Sequence, residues 1–252
     1  MWNPKNSFED LKKLNPDICI VAAYGKIIPK EWLEVPKYGF LNIHPSLLPK
    51  YRGASPIQAV ILNGGKETGV TIILMDEKVD HGPILAKREF SIFNFQFSKY
   101  KELEKELAEL GSDLLIETLP KWIEGKIKPK EQNHKEATYT KKFSWPDGKI
   151  DWQKQAKEVE RQIRALNPEP GTWTTWNSKI LKILEAKIYD AQPYHKHDKI
   201  YIGIVYEENG RVFIPCSIGH IEPLKVQLEG KNPLTIKDFL NGHRNFVGSV
   251  LK

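Results

Sequence analysis

Short apolar runs recur along the first half of the chain, and stretches with helical spacing separate them. Strands are predicted at four of these runs, 17–24, 38–44, 69–75 and 84–90. The run at 17–24 is apolar at almost every position, which is typical of a strand that is covered on both faces. Strands that alternate with helices predict an α/β domain with a mostly parallel sheet.

Helices are predicted at 8–14, 55–64 and 98–124. The second has Ser55 in the N-cap position, Pro56 as its first residue and an Asn-Gly pair at its end. The third carries leucines at helical spacing, so one of its faces is expected to pack on the sheet. These leucines are at positions 103, 107, 110, 114 and 115.

The composition changes after residue 125, and the second half has a different pattern. Residues 126–150 are polar and irregular and are predicted to link two domains, 1–125 and 151–252. Asp151 is the predicted N-cap of a helix that runs to residue 165. A small β-barrel is predicted from the elements that follow, which are strands at 179–186, 200–205, 211–215 and 225–227 and a short helix at 238–242.

The positive charge of the chain is concentrated in its second half. The net charge is +6, with −1 over residues 1–125 and +7 over residues 126–252. Such an excess attracts polyanions such as nucleic acid without any recognition of their sequence. A lysine-rich surface that only keeps the protein in solution has the same composition, so charge alone leaves both interpretations open.

The composition also restricts which cellular compartment and which cofactors are expected. No run approaches the roughly 18 apolar residues of a membrane span, and the amino end lacks the apolar core of a signal peptide. Cys19 and Cys216 are far apart, which argues against a disulfide framework and a zinc site. No His/Cys spacing predicts a metal, and no Gly-rich loop predicts a phosphate site. A reducing, cytoplasmic location is expected.

Two polar side chains stand at the end of the second predicted strand. Asn42 and His44 are two positions apart, so in a strand they project from the same face. Pro45 cannot continue a central ladder, and the chain is expected to turn there. Because open α/β sheets bind ligands at the carboxyl ends of their strands, this pair is a candidate site.

A carboxylate follows the third predicted strand. Asp80 lies in a glycine-containing turn and can reach Asn42 and His44 if the two strands are neighbours. Taken singly, a loop Asp usually caps a turn, and a lone His or Asn is usually structural. Together, an amide, an imidazole and a carboxylate predict acyl transfer without a covalent enzyme intermediate. Ser46 lacks a Gly-x-Ser-x-Gly elbow and is rejected as a nucleophile.

Longer motifs around these residues resemble the folate-dependent formyltransferases. In the first half they are Asn42-Ile43-His44-Pro45-Ser46-Leu47-Leu48-Pro49, Arg52-Gly53-Ala54-Ser55-Pro56-Ile57-Gln58, 67–72 and 75–82. In the second half, 150–152, 161–171, 227–231 and 238–242 are similar to the C-terminal domain of the methionyl-tRNA formyltransferases. The resemblance covers nearly the whole chain from residue 17 onward.

The resemblance implies a Rossmann-like domain followed by an OB-like barrel. It also implies transfer of a formyl group from 10-formyltetrahydrofolate to the α-amino group of methionyl-tRNA. In the family, the residues that match Asn42, His44 and Asp80 are catalytic. The expected roles are oxyanion binding for Asn42 and His44, and for Asp80 tuning of His44 and relay of the amine proton. His81 is expected to be only a turn residue.

The resemblance also places the two substrates, and it implies no metal. Ser46, Leu47, Leu48 and Pro49 are expected to line the folate site. The pterin is expected against the turn at 76–80 and the backbone around Tyr24, Gly25 and Ile28. The linker and the basic second domain are expected to bind the tRNA phosphates, with Lys141 and Lys142 as contacts.

The amino end departs from the family pattern. The family begins with a strand, a helix and a strand that have no counterpart here, so at least one βαβ unit of about 30 residues or more is expected to be missing. The strand at 17–24 is therefore expected at a sheet edge, with possible self-association and with impaired activity and stability. Two alternatives stay open, a sugar-nucleotide N-formyltransferase and a non-catalytic RNA-binding remnant. The motifs at 161–171 and 239–242 favour tRNA over a sugar.

Overall fold

The computed structural model describes residues 4–92, 99–189 and 202–252. Its contacts divide the chain into two compact units. The first unit consists of Met1–Val60 and Gly65–Lys142, and the second of Ile61–Gly64 and Phe143–Lys252. Within the described ranges, no helix is both long enough and apolar enough to cross a membrane.

The first half of the chain combines strands with helices, as predicted. The strands are β1 (Cys19–Ala22), β2 (Phe40–His44), β3 (Arg52–Gly53), β4 (Glu67–Leu74) and β5 (Ile84–Ser91). The helices are α1 (Pro4–Leu14), α2 (Lys30–Leu33), α3 (Pro56–Leu62) and α4 (Tyr100–Ile123). The predicted start of the last helix, at residue 98, lies outside the described residues.

The main sheet of the first unit has the strand order β1-β2-β4-β5. β1 and β2 are parallel, whereas β2–β4 and β4–β5 are antiparallel. The α/β class is therefore as predicted, but the parallel character of this sheet is limited to one pair. For the pair β4–β5 the reason is the connection, which is too short for the crossover of about a dozen residues that a parallel pair needs.

Helix α4 packs on β2, β4 and β5 and sets which face of β2 becomes the site. Its buried residues are Leu103, Leu107, Gly111, Leu114 and Thr118, while Leu110 and Leu115 are half-buried. A Cβ at Gly111 would lie 2.8 Å from Cγ2 of Ile43, so glycine permits this close packing. Because Ile43 faces the helix, Asn42 and His44 project from the opposite face of the strand.

The segment predicted as a linker belongs in part to the first unit. Its short strand β6 (Tyr139–Thr140) pairs in parallel with β3, in the register Arg52 to Tyr139. The next helix, α5 (Ala156–Leu166), starts later than predicted. Its N-cap is Gln155 in a capping box with Glu158, whereas Asp151 caps only a turn by accepting from the backbone of Gln153.

The second unit is built on an antiparallel sheet in the order β7-β8-β11-β10-β9, with β12 paired to β11. Its core is apolar, and α5 and the short helix α6 (Ile236–Gly242) contribute to it. The strands are β7 (Trp173–Trp176), β8 (Lys179–Tyr189), β9 (Tyr206–Glu208), β10 (Arg211–Pro215), β11 (His220–Leu228) and β12 (Leu234–Thr235).

Two predictions for the second unit differ from the structure. Residues 200 and 201 of the predicted strand 200–205 lie outside the described residues, and the rest of it forms a turn with one bridge, Ile204 to Val250. The pairings among the described strands leave the sheet open, so they do not close the predicted OB-like barrel. The missing strand is explained by a turn at 202–203, where Gly203 has a φ of +78°.

Candidate active site

The structure brings Asn42, His44 and Asp80 together in the first unit. Nδ2 of Asn42 donates to Oδ1 of Asp80 at 3.1 Å. Nδ1 of His44 lies 3.5 Å from the same oxygen. β2 lies beside β4 in antiparallel register, with Leu74 opposite Leu41, so the turn that follows β4 and carries Asp80 begins beside the amino end of β2. The three side chains form one contiguous polar group.

The carboxylate of Asp80 is held from two directions. Its Oδ1 accepts from Asn42, and its Oδ2 accepts from the backbone N–H of Gly53 at 2.8 Å. Gly53 has a φ of +103°, and a Cβ there would lie 2.6 Å from the carbonyl oxygen of Thr140. Asp80 itself has a φ of 47°, in the left-handed region that few residues other than Gly, Asn and Asp adopt. The local backbone is therefore specialised to present this carboxylate.

His44 is almost completely buried, with 4% of its surface exposed. Its Nε2 is 2.9 Å from the carbonyl oxygen of Tyr51, which can only accept, so Nε2 carries the hydrogen and donates. Burial is the largest influence on the pKa of His44 and lowers it below the ordinary value. Asp80 and the bond to Tyr51 oppose this shift, and Arg52 adds to it. The imidazole is thus neutral at neutral pH, with its Nδ1 directed toward Asp80.

The lowered pKa of His44 predicts how stability responds to acid. The native protein binds fewer protons than the unfolded chain once the pH falls below the ordinary histidine value of 6.5. The contribution of neutral His44 is complete above that pH and is lost as the pH falls through its folded-state pKa. Urea unfolding as a function of pH should show a larger loss on acidification for wild type than for His44→Gln. An equal loss in both proteins would contradict this assignment.

The turn after β2 is fixed by hydrogen bonds to its backbone. Oγ of Ser46 donates to the carbonyl oxygen of Lys50 at 2.7 Å, and Oγ1 of Thr71 donates to that of Ser46 at 2.7 Å. Ser46 and Leu48 are buried, whereas Leu47 and Pro49 are half-buried. The hydroxyl of Ser46 therefore supports the turn, and the partly exposed members of this predicted folate wall are Leu47 and Pro49.

The predicted pterin residues lie near an apolar cavity of about 490 Å³ beside β1. Tyr24 and Ile28 line this cavity, together with Val21, Trp32 and Phe40. Tyr24 is 48% exposed, and Ile28 is buried. Gly25 is exposed and no atom lies within 4 Å of a Cβ placed on it, so its backbone is open to a ligand.

Three polar residues next to the site were not predicted. Arg52 has 1% of its surface exposed, and both its Nε and Nη2 donate to Oε1 of Gln132, at 3.2 and 2.7 Å. Its Nη2 is also 2.9 Å from Nδ1 of His134. Arg52 lies in one of the recognised motifs without an assigned role. Gln132 and His134 lie in the polar linker, where no periodicity or spacing marks them.

His81 makes more contacts than the simple turn residue that was predicted. Its Nδ1 lies 2.6 Å from Oδ2 of Asp76, and its ring stacks on His134 with centroids 4.0 Å apart and an interplanar angle of 4°. Desolvation and then the charges of His81 and Arg52 lower the pKa of His134. A neutral His134 can accept the hydrogen bond from Arg52, which a protonated ring could not do.

Lys141 and Lys142 follow β6 at the end of the first unit, and both side chains are exposed. Across the described ranges, no group of three or more His, Cys, Asp or Glu residues is arranged to hold a metal ion.

Comparison with known families defines the class of this protein. A family model described as "Formyl transferase" matches residues 3–119, which include Asn42, His44 and Asp80. A second model, "Formyl transferase, C-terminal domain", matches residues 142–244. Together the two models match most of the chain, which places it among the formyl transferases.

Individual relatives identify the family within the formyl transferases. The methionyl-tRNA formyltransferase of Caldanaerobacter subterraneus subsp. tengcongensis is 40% identical over 99% of this chain and 79% of that protein. The enzyme of the same name from Roseiflexus castenholzii is 41% identical over 96% of this chain and 75% of that protein. The chain belongs to the methionyl-tRNA formyltransferase family.

Solved structures support the fold. HypX from Aquifex aeolicus in complex with tetrahydrofolic acid matches with a TM-score of 0.72 and 21% identity, over 97% of this chain and 42% of that one. The methionyl-tRNA formyltransferase from Clostridium thermocellum matches with a TM-score of 0.59 and 22% identity, over 88% of this chain and 84% of that one. This chain thus spans less than half of HypX.

Proposed function

We propose that the chain transfers the formyl group of 10-formyltetrahydrofolate to the α-amino group of methionyl-tRNA. The observation that carries the proposal is the 40% identity to methionyl-tRNA formyltransferases over nearly the whole chain. The grouping of Asn42, His44 and Asp80 in the first unit supports it, because these side chains supply hydrogen-bond donors and a base without a covalent nucleophile.

The reaction requires an acceptor amine, an oxyanion site and a base. The amine nitrogen attacks the formyl carbon and forms the new C–N bond, and the carbonyl oxygen becomes an oxyanion. Nδ2 of Asn42 has two hydrogens; one is donated to Asp80, and we assign the other to the oxyanion. The bond between the formyl carbon and N10 of the folate then breaks, and N10 receives a proton as it leaves. Loss of one oxyanion donor typically lowers the rate by about 10²–10³-fold.

The contacts of His44 favour a base over the oxyanion donor predicted from the sequence. Its Nε2 already donates to Tyr51, and the neutral ring has its lone pair on Nδ1. We assign to Nδ1 the proton that the attacking amine loses. The carboxylate of Asp80, 3.5 Å away, would stabilise the resulting imidazolium and pass the proton on.

The two substrates are assigned to different parts of the chain. For the folate, the proposed wall is the turn Ser46–Pro49, where Leu47 and Pro49 are partly exposed. The pterin is placed against the turn at 76–80 and the backbone at 24–28. We assign catalysis to residues 1–125, a linking role to 126–150 and tRNA binding, through an OB-like domain, to 151–252. Cytoplasmic location is part of the same proposal.

The formylation assay tests the proposal directly. Purified protein, 10-formyltetrahydrofolate and charged initiator tRNA are expected to yield formylmethionyl-tRNA, detected by acid gel or mass spectrometry. Turnover on an amino-sugar nucleotide with none on tRNA would replace the tRNA assignment with the sugar alternative. Retained tRNA binding without turnover on either acceptor would favour the non-catalytic alternative.

The same assay tests Lys141 and Lys142. The double substitution Lys141→Ala/Lys142→Ala should raise KM for tRNA and leave kcat at saturation unchanged. It should also reduce the slope of log affinity against log salt by about 0.7–0.9 for each lost phosphate contact. Lys105→Ala, which removes an exposed lysine 3.8 Å from Glu109 on α4, is the control and should change neither quantity. An unchanged salt slope in the double variant would contradict the assignment.

Self-association through β1 is a further part of the proposal. In the described sheet β1 is an end strand with β2 as its neighbour, and Ile20 is 41% exposed. An uncovered strand edge offers unpaired backbone groups to a second copy. The proposal rests on this edge alone.

A further inference from the structure

Arg52 is a buried cation held by neutral acceptors. It donates to Gln132 through two nitrogens, contacts Nδ1 of His134 at 2.9 Å and donates from Nη1 to the hydroxyl of Tyr139 at 3.3 Å. Among the residues that the structure describes, no carboxylate oxygen lies within 4.0 Å of its guanidinium nitrogens. A buried charge without an ionic partner is costly, and its retention here calls for a positional role.

Gln132 links this cation to the turn that carries Asp80. Its Nε2 donates to the carbonyl oxygen of Asp80 at 2.9 Å and to that of Gly82 at 2.7 Å. Its Oε1 accepts both bonds from Arg52. Since a guanidinium can only donate, the amide oxygen must face Arg52, and the amide hydrogens must face the turn. The orientation of Gln132 is therefore determined by its partners.

The turn at Asp80–Gly82 has an unusual backbone conformation, which the hydrogen bonds from Gln132 stabilise. Asp80 has a φ of 47°, and a Cβ on Gly82 would lie 1.9 Å from the carbonyl oxygen of Leu74. The same segment also holds the Asp80 side chain, because Gly53, next to Arg52 in sequence, donates its N–H to Oδ2. Gly53 thus hydrogen-bonds the carboxylate of Asp80, and Gln132 hydrogen-bonds its backbone carbonyl oxygen.

We propose that Arg52 and Gln132 are positioning residues that hold the Asp80 carboxylate in register with Asn42 and His44. The chain of contacts runs from Arg52 through the Gln132 amide to the peptide of Asp80. This inference rests on the proposed function, since it assigns the two residues to the orientation of one catalytic group. A displacement of about 1 Å at a catalytic group can lower a rate by roughly 10²-fold.

The substitution Gln132→Glu distinguishes a positioning role of this residue from a role in packing. It keeps side-chain size and leaves oxygens to accept from Arg52, but it removes both hydrogens donated to the turn. We expect kcat to fall by about 10–100-fold, with KM for both substrates little changed. The urea midpoint of unfolding should not be reduced, because the new carboxylate pairs with the buried guanidinium of Arg52. In an Asp80→Asn background the same change should have almost no further effect on the residual rate, because both act through one carboxylate.

Gln162→Glu is the matched control. Gln162 in the second unit is also buried, and its Nε2 also donates to two backbone carbonyl oxygens, those of Asp147 at 2.9 Å and Lys149 at 3.0 Å. Its substitution should lower stability without changing the NMR titration of His44, because the hydrogen bonds of Gln162 lie in the second unit. A fall in kcat that merely parallels stability in both variants, or additive effects of Gln132→Glu and Asp80→Asn, would overturn the positioning role.

A measurement on His44 separates this inference from the proposed function. Asp80 raises the pKa of His44 and Arg52 lowers it, so displacement of the carboxylate should move that pKa further down. In Gln132→Met, the NMR titration of the His44 ring should therefore show a lower pKa than in wild type, whether or not the protein formylates tRNA. An unchanged titration would overturn the inference, whereas absence of turnover in wild type would overturn only the proposed function.

Discussion

Replacing Asp80 with Asn should lower kcat for formyl transfer by about 10²–10⁴-fold while the protein stays folded. The carboxylate accepts from Asn42 and Gly53 through separate oxygens. An amide offers only one oxygen, so its NH₂ group must face one of these two donors. The substitution also removes the negative charge that opposes the lowered pKa of His44. His44, the proposed base, then loses the carboxylate that orients its ring and stabilises its protonated form.

Single-turnover formylation with pre-bound substrates measures this effect without the contribution of product release. Asp76→Asn is the informative comparison, because Asp76 lies in the same turn and also contacts an imidazole, that of His81 at 2.6 Å. Asp76 bonds the backbone N–H of Lys78 and the ring of His81 rather than Asn42 or His44, so its substitution should reduce kcat far less. A wild-type rate for Asp80→Asn would exclude Asp80 from the chemistry and leave Asn42 as the main polar contributor.

Local rules predicted half of the candidate site. The two-residue period of a strand placed Asn42 and His44 on one face, and Pro45 marked where the strand ends. Asp80 was predicted because it follows a strand that could lie beside β2. The inferences for Asn42 and His44 need only the residues of one strand and the turn after it, and that for Asp80 needs in addition that two strands are neighbours.

The rest of the site depends on contacts between distant segments. Gln132 reaches Asp80 across 52 positions, and Arg52 reaches Gln132 across 80. A single glutamine in a polar segment has no period to reveal it, and the pairing of β3 with β6 that brings it near involves only two residues on each side. The same limit applies to the sheet, whose β4–β5 pair is antiparallel because of a short connection that composition does not identify as a hairpin.

The second large effect is expected for the core beneath the site. Leu41 is fully buried on the face of β2 opposite to Asn42, and its substitution by Ala should lower the free energy of unfolding by about 2–5 kcal/mol. Loss of this packing also weakens the register that keeps Asn42 and His44 on the site face, since a slip by one residue would exchange the two faces. Urea unfolding followed by tryptophan fluorescence measures the change.

Ile20→Ala is the matched control, because Ile20 is the register partner of Leu41 on β1 yet is 41% exposed. Truncation of a residue that is largely in water should cost far less than truncation of Leu41. If Ile20→Ala destabilises as strongly, and more so at high protein concentration, then a second copy covers this edge, as the self-association proposal requires. If the cost is equally small at every concentration, the edge of β1 is open to solvent, and the stability of the first unit depends on the packing of β2, β4 and α4.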